Sequence, residues 1–310
     1  MSLSTIAPRH EEEYRVDPLE KTRAHAAHQM PISERRWWIL LGISAILLAT
    51  VYALAVLTPT GQALENAALR GADQASAADS DEAWKGLGEI TVWTLAIATA
   101  AIGIIGFLRR KVILAVVGVG VIVGGQLITQ SLKRFILPRP ELVEVTGDYA
   151  HNSFPSGHTT IAMTVLVAVI LVVPFRWRGF AMLIVMSWSV GIGAYTTTAK
   201  WHRLSDTIGA DLVALIVGAI AALILLRCGS VRRTEQRPKL RIVYVVVMAL
   251  GGSFTLIIGI LLGYLAGTQD LHDPVIDWDI YLAANSLAGA GSIITGLVYW
   301  GTWRCLEVTT

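Results

Sequence analysis

Two short stretches of the chain carry side chains that could together hold an oxyanion and move a proton. The first, SLKRFILPRPELVEVTGDYAHNSFPSGHTT, occupies residues 131–160. Here Lys133 supplies a point charge and Arg139 a planar donor fork, two complementary ways of gripping phosphate-like oxygens. Within Pro155-Ser156-Gly157-His158, Ser156 offers a hydroxyl and Gly157 lets the backbone approach an anion closely. His158 then opens an apolar run, where the N-terminus of a helix favours negative charge. The second stretch, AKWHRLSDTIGADL, occupies residues 199–212. His202 and Asp206 are four apart, so a helix beginning there sets them on one face, with the carboxylate accepting from one imidazole nitrogen and the other left to attack. Lys200 and Arg203 flank the pair. A His-x-x-x-Asp spacing is weak evidence alone, since an interfacial histidine with an incidental carboxylate has the same spelling.

The rest of the chain says what must position these residues. Of the 310 residues, 54% are hydrophobic and only 15% charged, with a mean hydropathy of +0.58 and a net charge of +2. A soluble domain carries about 25% charged residues, so the composition points to a polytopic membrane protein and away from a nucleic-acid partner. Apolar runs of membrane-spanning length fall at 37–57, 90–108, 112–132, 159–175, 180–198, 205–226, 242–266 and 281–303. Each is near the 20 or so residues that a roughly 30 Å hydrocarbon layer demands. Residues 1–36 read as a polar, flexible tail whose His10, His25 and His28 have no ligand-like spacing, and no metal site is expected. Residues 58–89 and 268–280 read as loops.

Orientation follows from where Lys and Arg collect. The tail with Arg35 and Arg36, the Arg109-Arg110-Lys111 and Arg176-Trp177-Arg178 turns, and segment 227–241 are basic and alternate with acidic connections. Both termini are therefore expected in the cytoplasm, with Cys228 and Cys305 as free thiols on that side. Two connections, 133–158 and 199–204, break the pattern by placing cations on the opposite face. They are the two stretches that hold His158 and His202. Cations on the side that topology disfavours suggest an anion to be bound, although basic residues at span ends also snorkel to headgroups.

Taken together, Lys133 with Arg139-Pro140, Pro155 to His158, and His202 with Asp206 resemble the type 2 phosphatidic acid phosphatase (PAP2) superfamily of membrane phosphatases. The resemblance implies an all-α fold with a six-helix core over residues 37–227, leaving 228–310 as a linker and two accessory C-terminal transmembrane helices. It further implies metal-independent, cofactor-free hydrolysis of a lipid phosphate through a phosphohistidine at the extracytoplasmic face of the cell membrane. By position, His202 would attack phosphorus, Asp206 orient it and His158 protonate the leaving oxygen. Lys133, Arg139, Ser156 and Gly157 would bind the phosphoryl group. Phosphatidate, phosphatidylglycerol phosphate and polyprenyl phosphates or diphosphates all fit as substrates. A phosphotransferase, a non-enzymatic lipid-binding or transport relative, and self-association stay open. Two departures stand out. Five residues separate Lys133 from Arg139 where the family has six, and Tyr195-Thr196 stands where a Ser-Arg pair is expected. Lys200 or Arg203 could restore the missing charge, or Arg203 could instead pair with a carboxylate such as Asp206.

Overall fold

The computed structural model describes residues 32–144, 152–234, 239–269, 271 and 273–308. The tail histidines and residues 145–151 of the first basic connection lie outside these. All eight expected spans are helical: α1 (Arg35–Val51), α4 (Val92–Leu108), α5 (Val112–Ser131), α6 (Gly157–Val172), α7 (Arg178–Thr198), α8 (Leu204–Arg227), α9 (Lys239–Ala266) and α10 (Pro274–Thr302). Among the described residues six helices are long and apolar enough to cross a membrane, so the chain has the all-α, multi-pass build read from its sequence.

Two spans differ from expectation for visible reasons. α6 is only 16 residues long, about 24 Å at 1.5 Å per residue. Pro174 stops it, because the residue before a proline is driven out of the helical region and Val173 is extended. A short helix is tolerated here because α6 is enclosed by α5, α7 and α8 and buries nearly its whole length. α4, the span expected at 90–108, starts at a Thr91 cap and bends by 58° from the helix before it.

That preceding segment, expected as a loop over 58–89, is instead two helices, α2 (Pro59–Ala72) and α3 (Ala77–Gly88). Thr58 caps α2 with Pro59 at its first position, and Ser76 caps α3 by accepting from the Asp79 amide. α2 lies along α10, and α3 rests on α7. Gly71 makes the first contact possible, since a Cβ there would sit 2.0 Å from the Asp277 carbonyl oxygen. Of the glycines on α5, Gly118 and Gly125 are pressed against neighbouring side chains whereas Gly120 and Gly124 face open space. Asp211, buried inside α8, accepts from Ser292 of α10 at 3.1 Å, an interhelical bond.

The two ends of the bundle are chemically distinct. At one, basic turns gather the C-terminal segment, where β1 (Val231–Arg233) pairs antiparallel with β2 (Leu306–Val308). Arg178 donates to the Leu306 carbonyl at 2.9 Å, Arg241 to that of Arg304 at 2.7 Å, and Lys111 to that of Val308. Cys228 and Cys305 are free and exposed. The other end brings the two motif stretches together.

Candidate active site

The second stretch is shaped by how α7 stops and α8 starts. The Lys200 amide bonds the Thr197 carbonyl at 3.0 Å and the Trp201 amide that of Thr196 at 2.9 Å, with Lys200 at φ +58°. This is a Schellman ending with lysine in the left-handed position that glycine usually takes. It reverses the chain and sets the His202 amide on the same Thr196 carbonyl at 3.0 Å. α8 then starts with Arg203 as its cap, and Asp206, three residues on, reaches back to the Arg203 amide at 2.9 Å. One carboxylate thus closes the helix start and meets the imidazole.

The first stretch docks on that start. Ser156 caps α6, its Oγ accepting from the Thr159 amide at 3.2 Å, while its own amide donates to the Asp206 carbonyl at 2.9 Å. The hydroxyl expected to face a ligand is therefore also a capping group, and it is fully buried. Ser153, which sequence reasoning passed over, donates from Oγ to Asp206 Oδ2 at 2.5 Å and accepts from Arg203 Nη1 at 3.1 Å. Gly209 leaves room for this arm, because a Cβ there would meet the Phe154 ring at 2.7 Å.

His202 Nδ1 lies 3.3 Å from Asp206 Oδ2, and both residues are buried. A carboxylate at Nδ1 fixes the proton on that nitrogen and leaves the Nε2 lone pair for chemistry. Burial pushes the imidazole below its ordinary pKa, with the Asp206 hydrogen bond opposing that shift. The ring is thereby held neutral at physiological pH, as a nitrogen nucleophile requires. The His158 ring stands 6.1 Å from His202, centroid to centroid, and 5.1 Å from Trp201. Trp201 in turn meets Trp84 of α3 edge-on at 4.9 Å, so an aromatic row runs from His202 to a half-exposed tryptophan. Gln126 Nε2 holds the Gly157 carbonyl at 3.1 Å.

Lys133 lies in a wider π-helical turn, Leu132–Ile136, that continues α5 and closes through the Leu137 amide on the Leu132 carbonyl at 2.8 Å. Such a turn re-phases the side chains that follow it. The ammonium is within electrostatic reach of His158, His202 and Asp206. Asn152 ties this turn down by donating to the Lys133 and Leu137 carbonyls at 2.9 and 2.5 Å.

Three cations expected at the site have partners within the protein. Lys200 bonds the Asp73 carboxylate at the end of α2. Arg203 has its guanidinium on Ser153 and its amide on Asp206. Arg139, expected to await a phosphate, holds a carboxylate instead: both its Nη atoms lie 3.4 Å from Glu65 Oε2, and both side chains are buried. Glu65 Oε1 also accepts from the Ser205 amide at the start of α8, at 3.2 Å. Burial, reinforced by repulsion from Asp206, raises the Glu65 carboxyl to about 7. Sequence reasoning missed Glu65 entirely, although its face of α2 (65, 68, 69, 72) is otherwise apolar. Among the described residues no group of three or more His, Cys, Asp or Glu side chains is placed to share a metal ion.

Comparison with known proteins bears on the same residues. No curated protein matches the chain. Among solved structures it resembles the transmembrane PAP2-type phosphatidylglycerolphosphate phosphatase of Bacillus subtilis, at 19% identity and a TM-score of 0.49, over 58% of this chain and 93% of that one. Residues 112–234 match the PAP2 superfamily, a segment that contains Lys133, Arg139, Ser156, Gly157, His158, His202 and Asp206 but not Glu65. The chain is thus a multi-pass membrane protein with several membrane-length helices, and its segment 112–234 is similar to the PAP2 superfamily.

Proposed function

We propose that this protein is a lipid phosphate phosphatase that works through a phosphohistidine on His202 at the extracytoplasmic face. The observation that carries the reading is the buried His202 Nδ1–Asp206 pair, 3.3 Å apart, beside a second histidine and at the cationic end of two connections. Nε2 of His202 attacks phosphorus, and the bond from phosphorus to the leaving oxygen breaks as His158 delivers its proton to that oxygen. Asp206 stabilises the charge arriving on the imidazole. His158, now a base, takes a proton from water as the water oxygen attacks phosphorus. The P–N bond then breaks, releasing phosphate and restoring neutral His202. Lys133 and Arg139 balance the negative charge of the transferring group, with Arg203 close behind Asp206.

The basic turns gathered at the opposite end favour a cytoplasmic position for that end, which puts the histidines outside. A substrate with its tail among the helices and its phosphate at the surface suits this placement better than a soluble ester. Residues 37–227 would be the catalytic core and the last two helices an accessory pair. The test is a panel of phosphatidate, phosphatidylglycerol phosphate and polyprenyl phosphates and diphosphates in liposomes, with wild type and His202→Ala. Phosphate release is expected to persist in chelator, to be blocked by vanadate and to vanish in the variant. Full activity of His202→Ala would refute the nucleophile. Labelled donor lipid with added acceptor alcohols separates hydrolysis from phosphoryl transfer.

A further inference from the structure

Glu65 lies where an anion-binding site should not hold an acid. Its two oxygens occupy the Arg139 guanidinium and the Ser205 backbone amide, two donors suited to an oxyanion. It comes from α2, outside the segment that matches the superfamily. The Ser205 hydroxyl next to it is buried with no partner among the described residues, so the surroundings have polar capacity to spare.

We propose that Glu65 is a resident carboxylate of the phosphate cradle, one that an incoming oxyanion displaces from Arg139, with a proton taken up on Glu65 as it leaves. This rests on the reading of Arg139 as a phosphate ligand. The argument is one of charge. Lys133, Arg139 and Arg203 face Glu65 and Asp206 in a buried site, so a dianion entering with both carboxylates ionised would leave an excess of negative charge. Protonating Glu65 removes one of those charges and frees the guanidinium fork for the ligand. Asp206 is not available for this role, being tied by His202, Arg203 and Ser153.

The neighbours define the sign of the pH response. Arg139 and Arg203 favour the ionised form of Glu65, whereas burial and Asp206 oppose it more strongly. On the other elements packed around α2, Asp277 of α10 is held by Arg70, Lys200 after α7 by Asp73, and the Tyr52 hydroxyl of the turn after α1 by the Pro138 carbonyl. With the carboxyl raised to about 7, Glu65 competes for Arg139 when ionised above that pH and yields when protonated below it. Oxyanion affinity therefore rises as pH falls through neutrality. If only the protonated fraction admits the ligand, affinity at pH 8 is about tenfold weaker than at pH 6.

Sulfate is the probe, because it stays a dianion throughout this range and reads binding without turnover. Calorimetric titration of the detergent-solubilised full chain is expected to give that tenfold difference for wild type. Glu65→Gln should bind at pH 8 about as tightly as at pH 6, with Glu65→Ala giving the same sign. Repeating the titration at pH 7.5 in buffers of different ionisation enthalpy counts the protons taken up, and should find fewer in Glu65→Gln than in wild type. Weaker binding in both variants at both pH values would overturn the proposal and make Glu65 a support for Arg139. A pH response unchanged by Glu65→Gln would overturn it too. Wild-type lipid hydrolysis alongside either result would discard displacement and keep the phosphatase. Glu65-dependent sulfate binding without any phosphatase activity would do the reverse.

Discussion

Replacing Asp206 with asparagine separates what the carboxylate does for the fold from what it does for the reaction. In the resting protein Oδ2 accepts from Ser153 Oγ, the Arg203 amide and His202 Nδ1, at 2.5, 2.9 and 3.3 Å. An amide oxygen in the same place keeps these partners but turns bonds to a charged acceptor, about 1.5–3 kcal/mol each, into neutral ones of about 0.5–1.5. The gross loss is about 3–4.5 kcal/mol, and much of it is offset because a buried carboxylate no longer has to be desolvated. Folding stability should therefore change by no more than about 2 kcal/mol. The reaction has no such offset. Positive charge grows on His202 as the P–N bond forms, and a neutral amide neither stabilises it nor fixes the tautomer. By analogy with other His–carboxylate pairs, turnover should fall by about 10³ to 10⁴, worth about 4–5 kcal/mol at 1.36 kcal/mol per decade. Phosphate release from liposomal lipid phosphate and thermal unfolding in detergent measure the two effects. An Asp206→Asn protein that unfolds like wild type and turns over within threefold of it would refute the assignment of Asp206 as the group that orients His202.

Three substitutions test the scaffold. Gly71→Ala would drive a Cβ to 2.0 Å from the Asp277 carbonyl oxygen, and overpacking of this kind costs about 1–3 kcal/mol, so a lower melting temperature is expected. Lys200→Gly should raise it: a non-glycine residue at φ +58° carries about 1–2 kcal/mol of strain, whereas the bond to the exposed Asp73 is worth a few tenths. Gly209→Ala would push the Phe154 ring off α8 and carry Ser153 with it. Misplacement by about 1 Å can cost 10²-fold, so turnover should drop between tenfold and a hundredfold while the helical circular-dichroism signal stays unchanged.

The motifs of the candidate site are readable in the sequence because each is a local device. Pro155 to His158 opens a helix, His202 and Asp206 are one helical turn apart, and neither depends on a distant residue to be recognised. What escaped depended on phase and on partners far along the chain. The five-residue gap before Arg139 runs out of α5 through a π-helical turn at Leu132–Ile136, which residue spacing alone does not spell. Tyr195 and Thr196, in place of the expected Ser-Arg, point elsewhere, Tyr195 donating to Glu82 at 2.5 Å and Thr196 to the Gly193 carbonyl at 2.8 Å. The guanidinium beside Asp206 is that of Arg203, which reaches it through Ser153. Glu65 escapes because the charges of 58–89 read as a loop, although Thr58-Pro59 and Ser76 with Asp79 spell helix starts. Once α2 is drawn, an acid on its apolar face calls for a buried partner, and Arg139 provides it.

The accessory helices also acquire a reason from α2. A 14-residue helix outside the membrane spans is marginal on its own, since short isolated helices are barely stable in water. α10 supplies the anchor: Arg70 Nε and Nη2 bond Asp277 Oδ2 and Oδ1, each at 2.8 Å, and Gly71 lies flush against the same turn. From Arg70 back to Glu65 is five residues, about 7.5 Å along the axis, so the clamp holds the carboxylate against Arg139 over a short lever. The same helix steadies the end of α7 through Tyr281 and Thr198, at 2.9 Å, and the body of α8 through Ser292 and Asp211. α10 therefore touches each element that delivers a charged group to the site from outside the first motif: α2 with Glu65, α7 with its turn to His202, and α8 with Asp206. One helix beyond the superfamily segment thus braces groups within it, and the resident acid in the cradle is the part of that arrangement that the superfamily segment alone could not supply.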